Sequence, residues 1–232
     1  INTCTVTAKS DYESRQLIRR AQKAGARVIV TGCYSELNKS AVKAMDGIID
    51  VADNSDKLHI IKELVGLTST GTSVIENNKS RFFVKVQDGC SFSCSYCIIP
   101  KARGASRSVA ISDVTEKVSQ ASNLYSEVVL TGIHLGTYGY DLTPKVSLYD
   151  LVKCILSCTL IKRIRLSSLE INEINDGLLS LIQGDRVCSQ LHIPLQSGDD
   201  RILRLMNRNY NVNDFLKGID NIYKKIPDIS IG

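Results

Sequence analysis

The sequence predicts an α/β fold, with a small parallel α/β domain at the amino end followed by a partial β/α barrel. Short β-branched or apolar runs alternate with longer amphipathic segments along most of the 232 residues, which is typical of parallel strands covered by helices. A composition of 43% hydrophobic and 23% charged residues excludes a disordered tail or a collagen-like repeat. No apolar run reaches about 18 residues, so we expect no membrane partner.

The first domain is expected over residues 1–66. We predict a helix that Ser10 caps and that runs to Ala24, with Gly25 as its stop. The elements that follow are predicted as a buried strand at 27–31, a helix at 36–45, a strand at 48–51 and a helix at 55–65. Their alternation over short links favours a parallel sheet.

A Ser-, Thr-, Gly- and Asn-rich stretch at 67–80 is predicted to be a linker to a second domain at 81–232. In that domain we predict strands at 82–87, 127–131, 162–167 and 190–195, helices at 112–125, 148–157, 176–183 and 213–225, and the start of a fifth strand at 228–232. Repeated strand–helix units suggest a barrel, whose reactive groups lie at the carboxyl ends of its strands. Because the chain starts with Ile1 and ends where an apolar segment begins, we expect a fragment truncated at both ends.

Charge and cysteine count narrow the function less than cysteine spacing does. The net charge of +5 permits binding to a polyanion but is equally explained by a slightly basic solvated surface. Eight Cys in a chain of this length, without a secretory signal peptide, do not suggest a disulfide framework.

Three cysteines stand close together directly after the strand predicted at 82–87. Cys90, Cys94 and Cys97 have the spacing C-x3-C-x2-C on a loop rich in Gly and Ser. A cubane iron–sulfur cluster takes one protein ligand per iron, so three thiolates leave one iron open for a non-protein ligand. The alternative is a zinc site, which usually takes four nitrogen or sulfur ligands from two C-x2-C pairs. No second pair is nearby, and His134 and His192 are far away in sequence, so the spacing favours the iron–sulfur cluster.

This triad, with an aromatic residue before its last Cys, resembles the radical S-adenosylmethionine (SAM) superfamily, and further blocks resemble its methylthiotransferases. These blocks are NTCTVT (2–7), GC (32–33), QDGCSFSCSYCIIPKARG (87–104), LTGIHLG with YG (130–139), SSLE (167–170), HIPLQSG (192–198) and LMNR (205–208). They run through nearly the whole chain in the family's order. The second domain is therefore expected to be a radical SAM partial barrel.

The resemblance implies two 4Fe–4S clusters and SAM as cofactors. The first cluster would lie on Cys90, Cys94 and Cys97, with SAM on the open iron, where one-electron reduction cleaves the sulfonium to a 5′-deoxyadenosyl radical. The second would use Cys4, Cys33 and a third Cys that the family carries upstream and this chain lacks. Taken alone, Cys4 and Cys33 are explained as two small buried residues.

By the same resemblance, the chain is a cytoplasmic tRNA methylthiotransferase that adds a methylthio group to C2 of N6-threonylcarbamoyladenosine beside the anticodon. Its partners would be the tRNA anticodon loop and an electron donor such as flavodoxin or ferredoxin. Isopentenyladenosine in tRNA and an Asp of a ribosomal protein are the alternative targets within the family. A zinc-stabilised RNA-binding module without catalysis is the alternative from another class of protein.

No catalytic side chain is expected beyond the ligands of cluster and cofactor. The residues that the resemblance assigns to SAM, together with an arginine suited to a carboxylate, are Tyr96, Thr131, Gly132, Ser168, Glu170, Gln196 and Arg103. A turn cap explains Ser167 and Ser168 equally well, and Glu170 is alternatively a solvated carboxylate. Basic residues near the triad are candidates for holding RNA phosphates, namely Arg81, Lys101 and Arg107.

Overall fold

The computed structural model describes residues 1–54, 59, 60, 63 and 80–232. Its contacts divide the chain into two units. The first holds the described residues up to 63 together with Cys97–Gly104, and the second holds residues 80–96 together with Ala105–Gly232. The helix predicted at 55–65 and the linker predicted at 67–80 lie almost wholly outside the described residues.

The first unit is built on a three-stranded parallel sheet with β2 in the middle. Its strands are β1 (Asn2–Thr3), β2 (Val28–Gly32) and β3 (Ile48–Val51). Its helices are α1 (Ala8–Lys23), α2 (Cys33–Leu37), α3 (Lys39–Lys43) and α4 (Ile99–Arg103). Ile18 of α1 packs with the β2 valines and Val51 in a small core, so the predicted parallel α/β order is confirmed here.

Two helix predictions in this unit need correction. The N-cap of α1 is Thr7 rather than Ser10, because the Thr7 hydroxyl accepts the Ser10 amide while the Ser10 hydroxyl accepts the Thr7 amide. The single helix predicted at 36–45 is two short helices, which meet at Asn38 with a non-helical φ of −122°.

The segment directly after the cysteine triad belongs to the first unit, although it falls inside the predicted range 81–232. Helix α4 packs against α2, and Ala102 is buried. The Asn54 side-chain amide donates a hydrogen bond of 2.9 Å to the Ala102 carbonyl. These contacts span almost fifty residues of sequence, so composition and periodicity do not reveal them.

The second unit contains parallel strands in chain order, as a β/α barrel requires. Strands β4 (Arg81–Lys85), β7 (Glu127–Thr131) and β8 (Arg163–Leu166) form one sheet, and β9 (Gln190–Leu191) pairs with β10 (Ser230–Ile231). A parallel bridge from Ile164 to Val187 continues from β8 toward β9. Two further short strands, β5 (Gln87–Asp88) and β6 (Arg107–Ser108), pair antiparallel.

Five helices and two 3-10 turns accompany these strands. They are α5 (Ile111–Ser122), α6 (Leu148–Cys158), α7 (Asp176–Ile182), α8 (Asp200–Leu205), α9 (Val212–Lys225), and the turns Leu135–Thr137 and Ile171–Glu173. Their apolar faces and the strands enclose one large core that includes Leu130, Leu151 and Ile164.

The predicted elements of this unit are present, with shifted ends. The strand at 127–131 has the predicted bounds, whereas the strand predicted at 190–195 pairs only over Gln190–Leu191. The strand predicted at 82–87 is divided into β4 and β5. Among the described residues, no helix combines the length and apolar character needed to cross a bilayer.

Candidate functional site

The loop that carries Cys90 and Cys94 begins at the end of β5 and is held by Gln87. This side chain is fully buried, and its Nε2 donates to the Gly89 carbonyl at 2.7 Å and to the Ser106 hydroxyl at 2.8 Å. Its Oε1 accepts the backbone N–H of His134 at 2.9 Å. Gln87 therefore ties the cysteine loop to the segment that follows β7.

The thiol of Cys90 lies against an imidazole. Its sulfur is 3.5 Å from His134 Nδ1 and accepts the Phe92 backbone N–H at 3.4 Å. Burial raises the pKa of Cys90, but these two hydrogen bonds outweigh burial and leave the pKa below its ordinary value. A thiol that deprotonates readily is a better metal ligand.

His134 is buried and also contacts a carboxylate through its other nitrogen. Its Nε2 forms an ion pair with Glu173 Oε1, and its ring lies 4.5 Å from the Phe92 ring, measured between centroids. Burial lowers the pKa of His134. The contacts with Cys90 and Glu173 raise it and outweigh burial, so the pKa lies above its ordinary value, at about 10.

The thiol of Cys94 lies against a guanidinium. Arg208 Nη1 donates to the Cys94 sulfur at 3.3 Å and to Glu170 Oε1 at 2.8 Å. The Arg208 side chain is 6% exposed and that of Glu170 is 12% exposed, so water has little access to this ion pair. Within the described residues, Arg208 Nε is buried without a hydrogen-bond partner.

The turn after α8 also holds the backbone of the cysteine loop. The Asn207 side chain donates to the Ser93 carbonyl at 3.0 Å, and the Ser95 N–H donates to the Met206 carbonyl at 3.2 Å. Residues 206–208 therefore support the loop from a point more than one hundred residues away along the chain.

The residues assigned to SAM by resemblance lie mostly at strand ends of the second unit. Gly132 follows β7, and a Cβ there would come within 2.9 Å of Gln87 Oε1, so the position requires a close backbone approach. The Tyr96 hydroxyl donates to Gln196 Oε1 at 3.0 Å, which brings these two together. The remaining polar contacts are Thr131 Oγ1 with the Val84 carbonyl and Ser168 Oγ with His192 Nδ1.

The other candidates lie elsewhere. Arg81 stands at the amino end of β4, where it pairs with the buried Glu127 at 2.9 Å, whereas the cysteine loop follows the carboxyl end of that sheet. Lys101 and Arg103 belong to α4 of the first unit, and Lys101 is exposed. Arg107 is exposed on β6. The RNA-binding roles remain predictions.

In the first unit, Cys4 and Cys33 follow neighbouring strands. Thr3 pairs in register with Gly32. Cys4 and Cys33 are therefore the residues that follow directly after a paired position in each strand. Cys4 is exposed, whereas Cys33 is buried and its sulfur accepts a hydrogen bond of 3.3 Å from Arg103 Nε. Arg103, expected at SAM, thus contacts a candidate ligand of the second cluster.

The chemistry of the donor set, three thiols on one loop, fits an iron–sulfur cluster. Cys90, Cys94 and Cys97 are free thiols with partial exposure. Among the described residues, no three His, Cys, Asp or Glu side chains converge closely enough to hold one metal ion. A four-iron cluster takes each thiolate on a different iron, so its ligands need not converge on one point.

Sequence reasoning missed four residues that organise this site: Gln87, Glu173, and the cation partners of the two sulfurs, His134 and Arg208. His134 and Arg208 stand in the blocks LTGIHLG and LMNR, which mark them as candidates, but no local pattern shows that they reach the cysteine loop.

Comparison with family models identifies the class of protein. The model described as radical SAM superfamily matches residues 84–232, and the one described as uncharacterized protein family UPF0004 matches residues 1–52. The chain belongs to the radical SAM superfamily.

Several curated relatives that match this chain carry the same enzyme name. The chain is 34% identical to the threonylcarbamoyladenosine tRNA methylthiotransferase MtaB of Rickettsia prowazekii, covering 100% of this chain and 59% of the relative. It is 32% identical to MtaB of Bacillus subtilis, with 100% and 56% covered. The chain thus spans about 60% of the length of the relatives it matches.

Solved structures agree on the fold. The cobalamin-dependent SAM radical enzyme OxsB, with aqua-cobalamin and SAM bound, superposes with a TM-score of 0.64 at 10% identity, covering 99% of this chain and 39% of that one. The radical SAM methyltransferase TsrM from Kitasatospora setae gives a TM-score of 0.66 at 12% identity, covering 95% and 51%. The predicted α/β class with a radical SAM partial barrel is confirmed.

Proposed function

We propose that the chain is the catalytic part of a cytoplasmic tRNA methylthiotransferase that acts on C2 of N6-threonylcarbamoyladenosine beside the anticodon. The observation that carries the proposal is the match to relatives named for that reaction, which extends over the whole of this chain at 32–34% identity. The cysteine loop, which lies inside the matched radical SAM region, supplies the chemical site.

Cys90, Cys94 and Cys97 would hold the first 4Fe–4S cluster. When bound, the cluster and SAM supply the radical chemistry that an inert aromatic C–H bond requires. Gln87 and residues 206–208 hold the loop through hydrogen bonds within the protein, and an ordered loop lowers the entropy cost of binding a cofactor. His134 and Arg208 place hydrogen-bond donors on two of the sulfurs.

The Arg208–Glu170 ion pair defines a polar end of the SAM site. Glu170 brings a carboxylate to this site, where it also accepts the Glu173 backbone N–H, and the Tyr96–Gln196 hydrogen bond presents another pair of polar groups. The role of these side chains is to bind and orient SAM and to exclude water from a reactive centre.

Cys4 and Cys33 would be two of the ligands of the second cluster. A tRNA anticodon loop and an electron donor such as flavodoxin or ferredoxin are the partners that this chemistry requires. Single-stranded loops expose bases that an enzyme can reach without opening a duplex.

A second candidate is methylthiolation of isopentenyladenosine. The chain is 34% identical to the tRNA-2-methylthio-N(6)-dimethylallyladenosine synthase of Clostridium tetani, over 69% of this chain and 36% of that protein. The shorter coverage makes it the less favoured target.

Nucleoside mass spectrometry of bulk tRNA distinguishes the targets. A strain that lacks the gene is complemented with the full-length wild-type protein, with Cys94→Ala, or with Cys188→Ala, a free cysteine outside the site, as matched control. We expect methylthiolated threonylcarbamoyladenosine to disappear in the deletion strain, to return with wild type and Cys188→Ala, and to fall at least 100-fold below wild type with Cys94→Ala, since losing even an outer partner of a metal ligand typically costs about 10–100-fold. Loss of methylthiolated isopentenyladenosine instead, or no change in tRNA, would contradict the proposed substrate.

A further inference from the structure

Two consecutive side-chain contacts, both largely shielded from solvent, connect a carboxylate to the sulfur of Cys90. Glu173 pairs with His134 Nε2, and His134 Nδ1 lies 3.5 Å from Cys90 Sγ. The side chains of His134 and Glu173 are 9% and 11% exposed, so water competes little for these contacts. None of the residues that the sequence assigned to SAM or RNA takes part in these contacts.

The surroundings hold both members in place. Glu173 Oε2 accepts the backbone N–H of Glu170 at 2.9 Å, and a Cβ on Gly136 would come within 1.9 Å of that same oxygen. The His134 N–H is bound by Gln87, and the Phe92 ring packs on the imidazole. Only glycine at 136 leaves room for the carboxylate, which indicates that the carboxylate has a defined position.

We propose that His134 is a positioning residue for the first cluster, donating its Nδ1–H to the Cys90 sulfur while Glu173 fixes the ring through Nε2. The proposal rests on a cluster at Cys90, Cys94 and Cys97 as proposed above. Outer hydrogen-bond partners orient metal ligands and tune the metal, and Glu173 would in turn fix the orientation of His134.

A hydrogen bond to a cluster-ligating sulfur changes the reduction potential of the cluster. It stabilises the negative charge that builds up on the sulfur, and more so in the reduced cluster, which carries one more electron. His134 therefore makes the cluster easier to reduce, and its removal shifts the midpoint potential to a more negative value.

The test compares two substitutions at one position. Asn at 134 retains a side-chain N–H near the place of Nδ1, whereas Leu of similar bulk has no donor. His134→Leu, His134→Asn, Glu173→Gln and the control His59→Leu, at an exposed histidine, are made in the full-length chain. Cys4→Ala is added to each, so that the titrated cluster is the one on the triad. Each is loaded anaerobically, its iron is counted, and its potential is measured by a redox titration followed by electron paramagnetic resonance.

We expect His134→Leu to shift the potential to a more negative value and His134→Asn to shift it less, because Asn keeps an N–H donor but leaves the Glu173 carboxylate without its cation. We expect Glu173→Gln also to shift it less than His134→Leu does, because the ring loses the ion pair that fixes it, and His59→Leu to stay at the parent value. A loaded His134→Leu cluster with the parent potential would overturn the inference alone. If His134→Leu does not load, an unshifted Glu173→Gln overturns it. A parent protein that binds no iron at the triad would overturn the proposed cluster as well.

Discussion

Gly32 lies opposite Thr3, where the first two strands of the amino-terminal sheet approach each other closely. Its φ is +105°, and a Cβ there would come within 2.2 Å of the Thr3 carbonyl oxygen. Cys33 follows directly, so the same residue that permits strand pairing also positions a candidate cluster ligand. Only glycine satisfies both the backbone conformation and the close approach.

Gly32→Ala should lower the free energy of unfolding by about 1–3 kcal/mol more than Gly25→Ala does. Gly25 also has a positive φ, +71°, but no described atom lies within 4 Å of a Cβ there. The two variants therefore share the backbone strain and differ in the steric clash. Urea denaturation of both variants measures the difference, and equal midpoints would show that strand β1 does not pack on Gly32.

At the residue scale, the sequence identified the candidate sulfur ligands but not the groups that touch them. Cys90, Cys94 and Cys97 are recognisable because their spacing is local. His134 and Arg208 are not, because their contacts join positions 44 and 114 residues apart. Distance along the chain made His134 look remote from the triad, yet the order of the parallel strands brings it to Cys90.

Helix α5 begins without a side-chain cap. Its N-cap residue is Ala110, exposed and with an extended backbone, so no hydroxyl or carboxylate accepts the free N–H groups of the first turn. By contrast, α6 begins with a capping box between Ser147 and Asp150. This explains why the predicted start of α6 was right and that of α5 was one residue late.

Ala110→Ser should therefore raise the free energy of unfolding by about 1 kcal/mol, since it supplies the missing acceptor. Ala105→Ser, an equally exposed substitution outside any helix, is the control and should change stability little. The chemical denaturation midpoint decides between them. Equal shifts for both variants would mean that the end of α5 is already satisfied.

The sequence predicts where most strands and helices lie, but it does not show which strands pair with each other. The short apolar run at 128–130 predicts a buried strand, and the predicted strand bounds 127–131 are confirmed. The sequence placed Leu203 in a helix but gave no bounds for α8, because its six residues are too short to show a clear helical period. The short length of β9 depends on its partner β10, which local sequence does not show.

At the scale of the whole molecule, the two family models and the two structural units divide the chain differently at one place. The radical SAM model covers 84–232 without interruption, whereas Cys97–Gly104 has its contacts in the first unit. The third cysteine of the triad and Arg103, which donates to Cys33, therefore belong to one short segment.

The iron content of the full-length chain tests the central claim most directly. Wild type, a variant with Cys90, Cys94 and Cys97 changed to Ala, and a control with Cys154, Cys158 and Cys188 changed to Ala are reconstituted anaerobically with iron and sulfide. We expect wild type and the control to bind about four irons and four sulfides more than the first variant. Equal iron in all three, or one zinc per chain without visible absorption, would contradict a cluster on the triad.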